Sequence, residues 1–498
     1  MTKHLSKSRY TQFMRCEKAL WLEVNKPEEA VITAAQQEIF NKGTEVGDLA
    51  KGLLGDFEDM TTWSPEGHLD IKTMIDKTND AIAKGITNIC EAAFCYEGNY
   101  CAVDILHKVN GGYEIYEVKS STSIDKEIYR WDVAYQKYVL TGCGLNITKT
   151  FLVCINNDYV RQGEIDINGL FQINDLNGAE ETEYANVATN VKRAREVLCG
   201  EEPKMVLSKS CHSPYECVFK QYCTKNIPKP SVLDLYRMNW QKKIRHYYAG
   251  KVSFEDVRAI KLTDIQQMQV ECTLNRTAHI DKVGIKSFLD TLKYPLYHLD
   301  FETIQPAIPL YDGTKPYQQI PTQYSLHIQD KPCGKLKHKE FLAPSRKNPL
   351  RPIAEALCKD IPSDVCVLAY NKAFECTRLG ELAKMFPDLN EHLTAIKDNV
   401  KDLLIPFQRG CYYLPAMGGS FSIKSVLPAL FPNDPELDYH ALDELCQNGG
   451  DAMNLFPKLK GMDSEDEAKA RLALLKYCCL DTLAMVKVLE KLYEAARI

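Results

Sequence analysis

Residues 294–303 read YPLYHLDFET, and they end in acids at positions 300 and 302. The run up to Phe301 has the apolar, aromatic make-up of a β-strand. On a strand, residues two apart project from one face, so Asp300 and Glu302 share a side. Further apolar strands follow in "TQYSLHIQ" and "DVCVLAY", and they alternate with helices in "PIAEALCKDI" and "FECTRLGELAKMF". That alternation predicts an α/β fold over residues 293–498. An acid pair closing a strand is either the polar rim of an ordinary strand or part of a metal site. The partners that the rest of the chain supplies decide between the two.

Those partners are present. "VLAYNKAFECTRLGEL" reads as a strand running into a helix, with Asn371 and Glu375 near the junction. "LLKYCCLDTLAMVKVLEKL" reads as an amphipathic helix carrying Tyr477 and Asp481, whose four-residue spacing puts both on one face. Asp300, Glu302, Glu375 and Asp481 could together hold two divalent cations. Such a pair activates a water and stabilises the leaving 3′ oxygen in phosphodiester hydrolysis, and Tyr477 would position the water or the scissile phosphate. "DFET", "YNKAFE" and "YCCLD" in this order resemble the three motifs of the DEDD exonucleases of the RNase H-like superfamily, the third in its tyrosine form. The resemblance implies an RNase H-like domain with a 3′–5′ exonuclease site. It departs from the pattern at Glu375, where the family usually has Asp, and Asp402 is the fallback third acid.

A second constellation lies in "YCAVDILHKVNGGYEIYEVKSST", two β-rich runs around "NGG", which is a strong hairpin signal. Asp104 stands near the end of the first run, and Glu117 and Lys119 share a face of the second. The two carboxylates suit one or two Mg²⁺ or Mn²⁺ ions, and a lysine beside them could orient the attacking water. The next segment, "IYRWDVAYQKYVLTG", adds Gln136 on a helix expected over 126–141. Together these residues resemble the RecB-like branch of the PD-(D/E)XK nucleases. The resemblance assigns metal binding to Asp104 and Glu117, catalysis to Lys119, and the motif glutamine to Gln136. Two positions depart from it. Leu140 stands where the family often has tyrosine, and Gly47 stands where a metal-binding histidine often lies, with Glu45 nearby.

The chain has 19 cysteines. "KSCHSPYECVFKQYC" spaces Cys211, Cys217 and Cys223 as C-x5-C-x5-C, and Cys16 lies far upstream. Four thiolates suit a [4Fe–4S] cluster or zinc, and the absence of paired C-x2-C knuckles favours the cluster. One cysteine before the nuclease core and three after it resembles the iron–sulfur nucleases of the AddB and CRISPR-adaptation type. In that type the cluster staples the ends of the domain together.

At 498 residues the chain exceeds one hydrophobic core. We expect a restriction-endonuclease-like domain over 1–230, a helical connector over 231–292 and an exonuclease domain over 293–498. "KNIPKPSVLDL" marks the exit from the first. The basic, aromatic stretch "RMNWQKKIRHYYAGKVSFEDVRAIK" reads as a solvated helical linker, and "AMGGSFSIKSVLPALF" as a plain turn before a helix. A net charge of −6 does not advertise a nucleic-acid binder, although acidic metal sites are compatible with a basic groove elsewhere. No apolar run approaches the roughly 18 residues of a membrane span, and the N-terminus lacks a secretion signal, so a cytoplasmic protein is expected. The resemblance to iron–sulfur nucleases favours DNA over RNA as substrate. Nothing in the sequence specifies a protein partner.

Overall fold

The computed structural model describes residues 4–124, 127–176, 178 and 180–497. The chain is mixed α/β and forms two compact units. The first is Met1–Asn226 with Pro306–Gln318, and the second is Ile227–Gln305 with Gln319–Ile498. No helix among the described residues is long and apolar enough to cross a membrane.

The first unit grows from the Asn110–Gly111 turn. Gly111 has φ +92°, a conformation that favours glycine, and the turn joins β2 (Asn99–Val109) to β3 (Gly112–Lys119). β1 (Asn88–Tyr96) lies antiparallel on the other side of β2. The chain then crosses through α3 (Glu127–Gly142), so β4 (Ile147–Ile155) runs parallel to β3, and β5 (Phe171–Asp175) closes antiparallel to β4. The helix expected over 126–141 is this α3, with residue 126 outside the described residues. Tyr135 of α3 stacks on Tyr10 of α1 (Lys7–Arg15), with ring centres 4.7 Å apart, and its hydroxyl donates to the Leu5 carbonyl oxygen at 2.6 Å. This draws the N-terminal strand and α1 onto the sheet, over a core that includes Phe94, Val103, Ile115, Val139 and Val191, the last from α4 (Glu181–Cys199). A separate cluster of Val46, Ile105, Val153 and Phe171 is completed by Ala307, from the Pro306–Gln318 segment.

The second unit holds a five-stranded sheet of β6 (Leu296–Ile304), β7 (Ile320–Gln329), β8 (Leu336–Leu342), β9 (Cys366–Ala369) and β10 (Val400–Asp402), in the order β8–β7–β6–β9–β10. Strands β6, β7 and β8 are antiparallel neighbours, and β6, β9 and β10 are parallel. The long helix α7 (Ser464–Ala496) starts under the Asp463 side chain, which accepts from the Glu465 and Asp466 amides. Its Leu480, Ala484, Val488 and Leu492 join Leu296, Leu368 and Phe407 in the core. Residues 231–292 form four short helices within this unit. Their one large exposed aromatic among the described residues is Tyr248, while Tyr247 packs against the Val232–Phe254 cluster.

Candidate metal centres

In the second unit, β6 presents Asp300 and Glu302, whose ladder partners on β7 are Ser325 and Gln323. The helix α5 (Ala373–Met385) delivers Glu375 in its first turn, and α7 delivers Tyr477 and Asp481, all three buried. Ligand atoms of Asp300, Glu302 and Cys478 lie within 4.8 Å of one another. Burial, and then the charges of Asp481, Glu302 and Glu375, push the Asp300 carboxyl well above its usual range. Burial, Asp481 and Glu375 do the same to Glu302. Glu375 is pushed up to about 8 by burial and by Asp402, and its Oε2 is a buried atom without a hydrogen bond. The five residues expected from the sequence therefore converge: the acids act on each other, and Tyr477 is raised by burial and by Asp481, Glu302 and Asp300.

Little positive charge offsets this cluster. Lys424, from α6 (Ile423–Leu430), donates to Asp481 Oδ1 at 2.7 Å, and the Tyr439 hydroxyl donates to the same atom at 2.6 Å. The Lys424 ammonium sits 3.1 Å from the Tyr439 ring centre and 4.6 Å from that of Tyr477. Asp402, whose charge bears on Glu375, accepts through Oδ1 from the Asn371 amide at 2.9 Å and the Leu404 amide at 3.0 Å. Crowded hard-oxygen donors with this charge deficit are the donor set that Mg²⁺ or Mn²⁺ takes. The stretch read as a plain turn before a helix thus supplies a charged partner of the site. Its Gly419 has φ +78°, and a Cβ there would meet the Asp234 carbonyl oxygen at 2.4 Å.

In the first unit, the four expected residues also meet, in a tight ionic network. Glu117 is 1% exposed. It accepts from Lys7 at 3.0 and 3.1 Å, from Lys119 at 2.6 Å and from Gln136 at 2.7 Å. A carboxylate has about four acceptor positions, and here all are taken. Lys119 also donates to Asp132 at 2.5 Å, while Asp104 accepts from the Val118 amide at 2.6 Å. Burial would raise Glu117, but Lys119 and Lys7 bring it down to about 2. Asp104 goes the other way, to about 6, through burial and the charge of Glu117. Facing Asp104, Glu91 on β1 adopts φ +54°, while the ladder to either side keeps its register, Cys90 pairing Ile105 and Ala92 pairing Val103. Burial and Asp104 lift Glu91 to about 7. Glu45 is exposed on the helix Ala34–Ala50.

Cys16 is the joint between α1 and α2 (Glu17–Asn25), and it lines one cavity with Cys211, Cys217 and Cys223. The Cys217 amide donates to the Cys211 carbonyl oxygen at 3.1 Å, and Arg15 ties the loop down through the Ser210 and Tyr215 carbonyls. Burial raises the Cys16, Cys217 and Cys223 thiols, Cys223 to about 11, and each is raised further by others of the four. Among the described residues no three of these sulfurs lie within 4.8 Å of one another. One tetrahedral zinc with bonds of about 2.3 Å calls for sulfurs about 3.8 Å apart.

Sequence reading missed Lys7, Glu91, Asp132, Lys424 and Tyr439. Asp132 was detectable, because it lies one helical turn before Gln136 on the same face. The other four reach their sites only through tertiary folding.

Residues 297–422 match a domain of unknown function (DUF2779). An uncharacterised protein of Mycoplasma pneumoniae is 28% identical over 229 residues, 42% of this chain and 34% of that protein. One of Mycoplasma genitalium is 26% identical over 219 residues, covering 41% and 32%, and one of Ureaplasma parvum is 29% identical over 171 residues, covering 32% and 24%. The chain thus spans about a third or less of the length of the curated relatives it matches. No solved structure matches.

Proposed function

We propose that the protein is a metal-dependent nuclease that hydrolyses phosphodiester bonds of DNA, with a 3′–5′ exonuclease site in the second unit. One observation carries this reading: Asp300, Glu302, Glu375 and Asp481 converge from a strand and two helices, with Lys424 offsetting Asp300 and Glu302 and Arg378 offsetting Glu375. Buried carboxylates in such excess are costly unless cations share the site. Divalent ions held there supply an activated water and charge for the leaving 3′ oxygen. Tyr477 lies where it can orient the water or the phosphate, and Lys424 fixes Asp481. The strand order β8–β7–β6–β9–β10, antiparallel through β6 and parallel beyond it, supports an RNase H-like core.

The first unit supports a RecB-like reading, in which Asp104 and Glu117 would hold the metal and Lys119 would serve the attacking water. The four cysteines, which line one cavity, would hold an iron–sulfur cluster. A second reading also has a specific observation behind it. Every acceptor position of Glu117 is filled by Lys7, Lys119 and Gln136, which favours a first unit that binds nucleic acid without cutting it.

The test is cleavage of 5′- and 3′-labelled single-stranded DNA and RNA by anaerobically purified protein, with Mn²⁺ or EDTA. Mn²⁺-dependent shortening from the 3′ end, abolished by Asp300→Ala, is the expected result. Residual cleavage that disappears only with Lys119→Ala would assign activity to the first unit. No metal-dependent cleavage of any substrate overturns the nuclease reading.

A further inference from the structure

Beside the acid cluster, on the same helix, lies a chemically different group. His327 and His338 are ladder partners on β7 and β8, with ring centres 4.5 Å apart. A ligand atom of each, and the Cys479 Sγ, lie within 4.8 Å of one another. Two imidazoles and a thiol form a donor set for zinc-like ions, which thiolate and imidazole ligands favour. Carboxylates favour Mg²⁺ and Mn²⁺ instead.

The hydrogen bonds around the group are satisfied by one consistent set of donors. The Thr482 hydroxyl has a single proton, and it lies 3.1 Å from the Cys479 carbonyl oxygen, which can only accept. Thr482 Oγ1 then accepts from Ser325 Oγ at 2.7 Å and from His327 Nδ1 at 2.8 Å. Ser325, whose proton goes to Thr482, accepts from His338 Nε2 at 2.9 Å. In this set of donors His327 carries its proton on Nδ1 and His338 on Nε2. His327 Nε2 and His338 Nδ1 are left bare. Metal-binding histidines have this arrangement: one ring nitrogen is anchored by an oxygen partner and the other is free for the ion. Burial also holds the His327 ring neutral, its pKa pushed down to about 4.

The group has a way in. His338 is exposed, and both His338 and Cys479 line a cavity of about 410 Å³ shared with Glu340, Glu436, Asp438 and Lys476. Three protein ligands with an open fourth position describe an accessible zinc site, not a closed one. Glu340 lies two residues from His338 on the same face of β8, where its carboxylate can approach the fourth position.

We propose that His327, His338 and Cys479 form a zinc site that pins α7 to the β7–β8 hairpin. It does not depend on the nuclease reading, although Cys479 lies between Tyr477 and Asp481 in the chain.

The experiment uses full-length, chelator-treated protein, with excess Mg²⁺ present to occupy carboxylate sites. Co²⁺ is titrated in and followed by its visible bands and its thiolate charge-transfer band, and bound Zn²⁺ is then counted by elemental analysis. Wild type is compared with His338→Ala, on an exposed edge strand, and with the near-isosteric Cys479→Ser, each checked for native circular dichroism. Comparison with wild type subtracts any ion held by the Cys16, Cys211, Cys217 and Cys223 group. The expected result is the loss of one equivalent of Zn²⁺ and of part of the Co²⁺ spectrum in both variants. Thr482→Val should keep the site but weaken Zn²⁺ binding by about 10–100-fold, as loss of an anchoring partner does. Unchanged metal content and spectra in both ligand variants, or no zinc bound by wild type beyond the four-cysteine group, overturns the proposal.

Discussion

Glu375 is held in the wrong charge state for an ordinary glutamate. Burial and Asp402 push it up to about 8, against an unfolded value near 4.5. The folded chain therefore keeps a proton that the unfolded chain releases as pH rises from about 4.5 to 8, and stability falls across that window. In EDTA, Glu375→Gln should match wild type near pH 4.5 and melt higher at pH 8, by roughly 2–4 °C for each kcal/mol recovered. Saturating Mn²⁺ should shrink or reverse the gap, because only wild type keeps the ligand. Equal melting curves at pH 8 would refute this account of the site's electrostatics. Lys7 gives a second residue-scale expectation. If Glu117 can hold a metal, Lys7→Met in an Asp300→Ala background frees acceptor positions and should raise Mn²⁺-dependent cleavage from background. A silent double variant would leave the first unit with binding alone. The acids were legible because their spacing is local: two residues apart on a strand, or four apart on a helix. Lys7 and Lys424 were not, because 110 positions separate Lys7 from Glu117 and 57 separate Lys424 from Asp481.

The same contrast holds for whole elements. The hairpin at Asn110–Gly111 and the helix near 181–199 could be read directly, since turn chemistry and hydrophobic period signal them within a few residues. The backbone at Glu91 could not, because nothing local in the sequence marks a glutamate held at φ +54° within a strand. For α7, the start is carried by the Asp463 cap, and Asp463→Ala should cost about 1 kcal/mol, read as a lower urea midpoint. The cost should appear in the second unit, since α7 packs against β6 and β7 and carries Asp481. A second element-scale expectation concerns the joint between α1 and α2. If the four cysteines hold a cluster as proposed, its removal, or Cys217→Ser, should increase hydrogen exchange in α1, α2 and the 209–224 loop while leaving α7 protected. Uniform protection throughout would separate the cysteines from any structural role.

Across the whole molecule, the α/β class followed from alternating strand and helix signals, but the path of the chain did not. "QPAIPLYDGTKPYQQ" reads as a proline-rich loop. It leaves the second unit after Gln305 and rejoins it at Gln319, and in between Ala307 is fully buried in a first-unit cluster and Tyr317 donates to the Ser120 carbonyl oxygen. Residues 1–226 expressed alone lack these contacts. They should unfold at lower denaturant than the first unit does in the full chain, and tryptophan fluorescence of Trp21 and Trp131 would follow this. Equal midpoints would show the segment to be dispensable. The segment also bears on how such a protein can evolve. The two units are not cassettes that recombination can exchange at one breakpoint. A new second half brings its own Pro306–Gln318 piece, which must already fit an old first half. The halves are therefore inherited as a matched pair, and variation in the buried positions of that piece should track variation in the first unit instead of the domain that encloses it in the sequence.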